Sequence, residues 1–358
     1  MPTIQAVKPV ARQRVRRLSI LDTPTPDACA LARFGAGLSR AMERAHVDTR
    51  VVDASLLGHA DVAIVQHDCD AASGELADHV GRLSVPSIAV LHSVPKSPTA
   101  QQRSSVHAIA AAADRLVVMS RAAYACLSRE YAVDRGRIAV VPYGATIPGP
   151  MRMKRPSRPT ILTWGWLAPG DGVERVIDAM ASLKDVPGQP RYVVAGPTHP
   201  RVLAVDGDSY RDARIEQARR TGVTGSVSLD ARHYDGVMLS TLLQQAAVIV
   251  LPYDTTEQTA SAVLVEAIAH GRPVVATAFP HAVELLSNGA GAVVDHDDAD
   301  GLAAVLRQVV TQPRLSGAMA AEARRLAPDM AWSAVAAEYL RLANELVAQL
   351  AGASAAPD

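Results

Sequence analysis

Glu266 lies in a stretch, 260–270, that otherwise offers mainly small and apolar side chains, where an uncompensated carboxylate is costly to bury. It needs a partner. Either it is a surface carboxylate capping a neighbouring loop, or it accepts hydrogen bonds from the hydroxyls of a ligand. Its surroundings have a readable order. Residues 247–252 form an apolar run without two-residue alternation, as in a strand covered on both faces. A polar loop, 253–259, leads into a helix over 260–270, Gly271 supplies a positive φ at its end, and a second strand begins at Pro273. That is the size of a right-handed crossover between parallel strands. The start of the helix therefore sits at the carboxyl edge of a sheet, with the N–H groups of Ser261, Ala262, Val263 and Leu264 facing any anion there.

Two further groups of residues have types suited to chemistry. Gly165, Gly170, Asp171 and Gly172 occupy a loop between an apolar strand and a helix. Glycine-rich loops at helix starts expose several N–H groups together and cradle diphosphates. Asp171 brings a carboxylate to that place, or serves as the helix N-cap. In the first half of the chain, His67 and His92 each stand at the carboxyl end of a strand. Each either caps a loop or presents a neutral imidazole to a cleft.

The elements that must position these residues alternate throughout. Strands are expected at 18–21, 50–52, 62–65, 87–91, 116–119 and 138–141, and again at 160–164, 192–195, 227–229, 248–251, 273–276 and 292–294, with helical patterns between them. A Pro-, Gly- and Arg-rich stretch separates the two sets. The reading is α/β, two Rossmann-like doubly wound domains across a central cleft: 1–148, a linker at 149–159, 160–330, and a helix over 331–350 long enough to cross back to the first domain. A chain of 358 residues suits two cores. With 36 basic and 36 acidic residues there is no overall field for nucleic acid, and 4% aromatic content argues against stacking platforms. Three widely separated cysteines, Cys29, Cys69 and Cys126, fit a reducing, cytoplasmic setting. The basic N-terminus lacks the apolar run of a secretory signal, and no stretch is long enough to span a membrane. The linker's basic residues leave open a weak peripheral contact with an acidic membrane surface.

Several ordered segments resemble family-4 glycosyltransferases of the GT-B fold. Gly271-Arg272-Pro273-Val274-Val275-Ala276-Thr277 is similar to the family's strand after its nucleotide-sugar helix, and Glu266 matches the second of the two Glu residues placed eight apart that bracket the helix start. Leu91-His92-Ser93-Val94 is similar to the subgroup's Leu-His-Thr-Val, and Val140-Val141-Pro142-Tyr143-Gly144 to the turn that ends the first domain. The resemblance implies that Glu266 binds the nucleotide ribose, and that His92 serves the donor sugar at the reaction centre. It implies a donor site of Gly165, Gly170, Asp171, Gly172, Gly196, Gln258, Ser261, Ala262, Val263 and Glu266, with Ala30 and His67 on the acceptor side. Five positions depart from the pattern, one of them Tyr143, which replaces the usual polar residue of the turn. Gln258 replaces the first Glu, with Glu257 one position early. Ala30 replaces a glycine. Trp166 and Asp171 replace the Arg and Lys that neutralise the leaving diphosphate. Arg201 and Arg232, just beyond strands of the second domain, are the candidate substitutes.

The implied function is a retaining, metal-independent glycosyltransferase of the hexosyltransferase type. A nucleotide diphosphate sugar is its co-substrate rather than a cofactor, and the acceptor is a saccharide, lipid or small molecule. The alternative is a glycosyltransferase-like binding or partner subunit whose turnover is lost or weak. No paired carboxylates, metal-ligand spacing or dinucleotide glycine fingerprint suggests other chemistry.

Overall fold

The computed structural model of the protein describes residues 14–21, 30–69, 74–149 and 156–353. The loop holding Cys29 and the basic part of the linker lie outside them. Two sheets of six strands make up the framework. The first contains β1 (Arg17–Leu21), β2 (Asp48–Val52), β3 (Val62–His67), β4 (Ser87–Leu91), β5 (Arg115–Val118) and β6 (Ile138–Val140), in the order β2-β1-β3-β4-β5-β6. The second contains β7 (Thr160–Trp164), β8 (Arg191–Ala195), β9 (Val227–Asp230), β10 (Val248–Leu251), β11 (Val274–Thr277) and β12 (Gly291–Val294), in the order β12-β11-β10-β7-β8-β9. Every pairing is parallel. Helices on both faces explain why β3, β4, β7, β10 and β11 are mainly apolar without two-residue alternation: all of their residues are buried.

Strand order reverses between β1 and β3 in the first sheet and between β7 and β10 in the second. At such switch points the flanking loops diverge and leave a crevice beyond the carboxyl ends.

Side chains from both domains tie the two halves together. Glu257 accepts hydrogen bonds from the Lys96 and Ser97 amides at 2.7 and 3.1 Å. Ser120 Oγ donates to the Thr259 carbonyl at 2.5 Å, and Thr259 Oγ1 donates to the Val94 carbonyl at 3.2 Å. The helix Arg121–Glu130 is capped by Ser120, whose Oγ accepts from the Ala123 amide. Its next two orphan donors, the Arg121 and Ala122 amides, bond to Glu284 of the other domain.

The helix Trp332–Ala353 returns to the first domain and packs on the helix Ala30–Arg44. Trp332 is its anchor. Its indole lies so close to Gly37 and Gly144 that a Cβ at either would come within 2.3 or 2.1 Å of the ring. Phe34 and Tyr143 close around it, with ring centroids 5.7 and 5.9 Å away. No helix among the described residues is long and apolar enough to cross a membrane.

Candidate functional site

A cavity of about 360 Å³ opens where the carboxyl ends of the two sheets face each other. The first domain contributes Leu31, Arg33, Asp68, His92, Ser93, Met119 and Tyr143; the second contributes residues around Gly165, Gly196, Tyr234 and the segment from Gln258 to Val263.

His92 follows β4, and its amide bonds to the His67 carbonyl at 3.0 Å, which fixes the backbone there. Phe34 meets the imidazole edge to face at 5.2 Å. Burial holds the ring neutral, its pKa lowered to about 3, and Nε2 is shielded with no hydrogen-bond partner. The ring is thus a neutral polar group on a wall it shares with the apolar Leu31 and Met119 and the polar Arg33, Asp68 and Ser93.

His67 does not join it. That residue is 1% exposed, and its Nε2 meets Ser105 Oγ at 3.1 Å in the helix layer behind the sheet. Burial lowers its pKa to about 4. The cavity takes the next residue instead: Asp68 lines it and accepts a hydrogen bond from Ser93 Oγ at 2.9 Å. Successive side chains of a strand point to opposite faces, so two adjacent polar residues at its end go to different environments. Ala30 opens its helix, but its side chain lies outside the described residues; Leu31 and Arg33 of that turn reach the cavity.

The glycine loop of the second domain divides. Gly165 (φ 124°) and Gly196 (φ 140°) line the cavity, each in a conformation that disfavours a side chain. They also touch, since a Cβ on Gly196 would stand 2.0 Å from the Gly165 carbonyl oxygen. Gly170, Asp171 and Gly172 do not line the cavity. Gly172 (φ 67°) is the N-cap of the helix Val173–Ala181, and a Cβ there would meet the Pro252 carbonyl at 1.8 Å. Asp171 neither caps that helix nor faces the cleft; its carboxylate accepts from the Ala168 amide at 2.7 Å, bracing its own loop. Trp166 lines the cavity and meets His199 edge on at 6.0 Å.

Burial, together with the negative charges of Glu174 and Asp254, pushes the Asp171 carboxyl up to about 7 against the Ala168 hydrogen bond. An acid whose folded pKa is raised contributes stability below its unfolded value, and that contribution is lost as pH rises toward the folded one. Asp171→Asn keeps the acceptor and removes the titration. Its stability advantage over wild type therefore widens between about pH 4 and about pH 8, to roughly 1–2 kcal/mol after discounting for partial exposure. Urea unfolding at the two pH values reads this directly; an advantage that stays constant would mean the carboxyl is solvated.

The helix expected over 260–270 runs Ala262–Ala269. Ser261 is its N-cap, extended at φ −143°, with Oγ accepting from the Leu264 amide at 3.2 Å. The Ser261 amide donates to His281 Nδ1 at 2.8 Å. Of the four amides expected to meet an anion, only those of Ala262 and Val263 escape these bonds, and both residues stand on the cavity wall. Gln258 also lines it, while Glu257 is held on the first domain.

Glu266, one turn further along, reaches across to Arg33, with Nη1 and Oε2 3.5 Å apart. Its side chain is 24% exposed, and desolvation raises its pKa against the opposing pull of Arg33. Neither arginine named as a substitute reaches the cavity. Arg201 is exposed at the start of the helix Pro200–Asp206. Arg232 is exposed and forked onto Asp230, at 3.0 Å from Nε and 2.6 Å from Nη2, with Tyr234 OH completing the cluster. Both follow strands, but Arg232 is held by its neighbour Asp230 and Arg201 is exposed to solvent. Arg33, Asp68 and Ser93 were not singled out from the sequence. For Arg33 a signal existed, as it lies in the first turn or so of the helix after β1, at the edge where α/β sheets bind ligands. Among the described residues no three His, Cys, Asp or Glu side chains converge as a metal site.

Residues 158–312 match the family model described as glycosyl transferases group 1. Two D-inositol 3-phosphate glycosyltransferases, from Rhodococcus opacus (strain B4) and Rhodococcus jostii (strain RHA1), are 29% and 28% identical over 239 and 240 residues, covering 63% of this chain and 51% of each relative. The chain thus spans about half the length of the curated relatives it matches. Among solved structures, a glycosyltransferase from Rickettsia africae ESF-5 superposes with a TM-score of 0.74 at 13% identity, over 94% of this chain and 99% of that one. Alr3699/HepE of Anabaena, solved in complex with UDP and glucose, superposes with a TM-score of 0.72 at 16% identity, over 92% and 100%. The two facing parallel sheets are therefore a GT-B fold, and residues 158–312 of the chain are similar to the group 1 glycosyl transferases.

Proposed function

We propose that the protein transfers a sugar from a nucleotide diphosphate sugar to an acceptor hydroxyl, with retention at the anomeric carbon and without a metal. The observation that carries this reading is the pairing of a helix start whose open amides at Ala262 and Val263 stand on the wall of one interdomain cavity with a desolvated carboxylate, Glu266, which lies one turn behind that wall and meets the cavity-lining Arg33. An amide pair suits phosphate oxygens and a carboxylate suits a ribose diol. On this reading the diphosphate lies on those amides beside Gly165 and Gly196, and the sugar extends toward His92. The neutral imidazole hydrogen-bonds a sugar hydroxyl and adds no positive charge next to the developing oxocarbenium ion. The bond from the anomeric carbon to the departing phosphate oxygen breaks, a bond to the acceptor oxygen forms on the same face, and the acceptor proton passes to the leaving diphosphate. Asp68 stands on the first-domain wall, where the acceptor enters. The Anabaena neighbour's complexes with UDP and with UDP-glucose support a nucleotide sugar as donor. We place the protein in a reducing, cytoplasmic setting.

The test is a thermal-shift screen with UDP, GDP and ADP, followed by an assay of donor-sugar hydrolysis. A nucleotide at about a hundred times its Kd adds about 2.7 kcal/mol, a shift of several degrees. No shift with any of the three would remove the function; a shift without hydrolysis or transfer would leave a binding subunit.

A further inference from the structure

We propose that Arg33, carried by the first domain, is the cation that neutralises the nucleotide's diphosphate, in place of a cation on the second-domain loop. This rests on the function proposed above.

The loop that enters the helix Val173–Ala181 has no basic residue of its own, because Trp166 and Asp171 occupy it. Nearby cations are paired with other groups or stand outside the cavity. Arg175 pairs with Asp254 at 2.6 Å and donates to the Pro252 carbonyl at 3.1 Å, Arg232 is forked onto Asp230, and Arg201 is exposed and does not line the cavity. Among the described residues lining the cavity, Arg33 is the single arginine or lysine.

Its own bonding is incomplete. A guanidinium carries five donors in a fixed fork suited to two oxygens of one anion. Here the contact with Glu266 is a single one at 3.5 Å, beyond the 2.7–2.9 Å of a strong charge-assisted bond. Nε is shielded from water and has no acceptor. Arg33 and Glu266 are therefore weakly matched to each other but well matched to the two ends of a nucleoside diphosphate. Ribose hydroxyls donate to the carboxylate, phosphate oxygens accept from the guanidinium, and on binding each side chain exchanges a poor partner for a better one. Because Arg33 belongs to one domain and the amides of Ala262 and Val263 to the other, the diphosphate is fully neutralised only with the cleft closed.

Isothermal titration of the full chain with UDP, GDP and ADP, and with uridine, guanosine and adenosine, separates the phosphate contribution from that of the nucleoside. In Arg33→Gln, affinity for the preferred diphosphate should fall roughly 10- to 100-fold, while the matching nucleoside binds as well as before or better. Arg33→Lys should recover part of the loss as a point charge. Arg33 is partly exposed, so neither variant should shift the unliganded Tm by more than about a degree. Equal losses for diphosphate and nucleoside, or no loss for either, would overturn the assignment of Arg33 and leave the transferase reading standing. Absence of binding by wild type to all three nucleotides would overturn both.

Discussion

If the protein transfers sugar as proposed, Glu266→Ala is expected to lower kcat/KM by roughly 10²- to 10⁴-fold and to leave the unliganded protein no less stable. The expected loss follows from the two hydrogen bonds that the proposed ribose contact makes to a charged acceptor, each worth about 1.5–3 kcal/mol, or about 10- to 150-fold. The stability half follows from the carboxylate's surroundings. Desolvation raises its pKa, the counter-charge on Arg33 is distant and partly exposed, and removing the group relieves a cost. A carboxylate whose role was structural would lose stability along with activity. Steady-state kinetics and a melting curve on one preparation decide the matter. If kcat/KM stays within about tenfold of wild type, Glu266 does not hold the ribose.

Gly196→Ala is expected to cost about 3 kcal/mol or more of stability and to abolish nucleotide binding. Two effects combine: the backbone is at φ 140°, where an L side chain is strained, and the new Cβ would stand 2.0 Å from the Gly165 carbonyl oxygen. Backbone cannot yield as a flexible side chain would, so the loops after β7 and β8 must separate, and both line the cavity. Gly170→Ala is the control. Its φ is 95°, yet nothing lies within 4 Å of the added carbon, so it bears strain alone, about 1–2 kcal/mol. Urea unfolding of the two variants separates contact from strain; equal losses would mean the Gly165–Gly196 approach has no energetic consequence.

The sheets were legible because burial on both faces writes itself into the chain as short apolar runs such as Val248-Ile249-Val250-Leu251. The crossover that holds Glu266 was legible for the same reason, and Gly271 marks its helix end with φ 62°. Those runs, however, lack the alternation that says which face a side chain takes. At the end of β3 nothing in the sequence distinguishes His67, which enters the helix layer, from Asp68, which enters the cleft. Asp171 and Arg232 were misplaced for a different reason. Both are short-range partners of nearby groups, the Ala168 amide and Asp230, and such local pairing competes with any role at a distance. Arg33 and Glu266 are remote in sequence, so their meeting depends on the relative placement of two domains. Residue patterns within either domain carry no record of it.

The indole of Trp332, seated against Gly37 and Gly144, also sets the order of events as the chain leaves the ribosome. All six strands of the first sheet are translated before it, yet the wall that covers the helix Ala30–Arg44 is delivered only with residues 332–353. Until then an apolar face stays uncovered on the half of the protein made first, while the half made second can assemble its sheet without waiting. A nascent chain stalled short of Trp332 is therefore expected to depend on chaperones to shield that face of its leading domain.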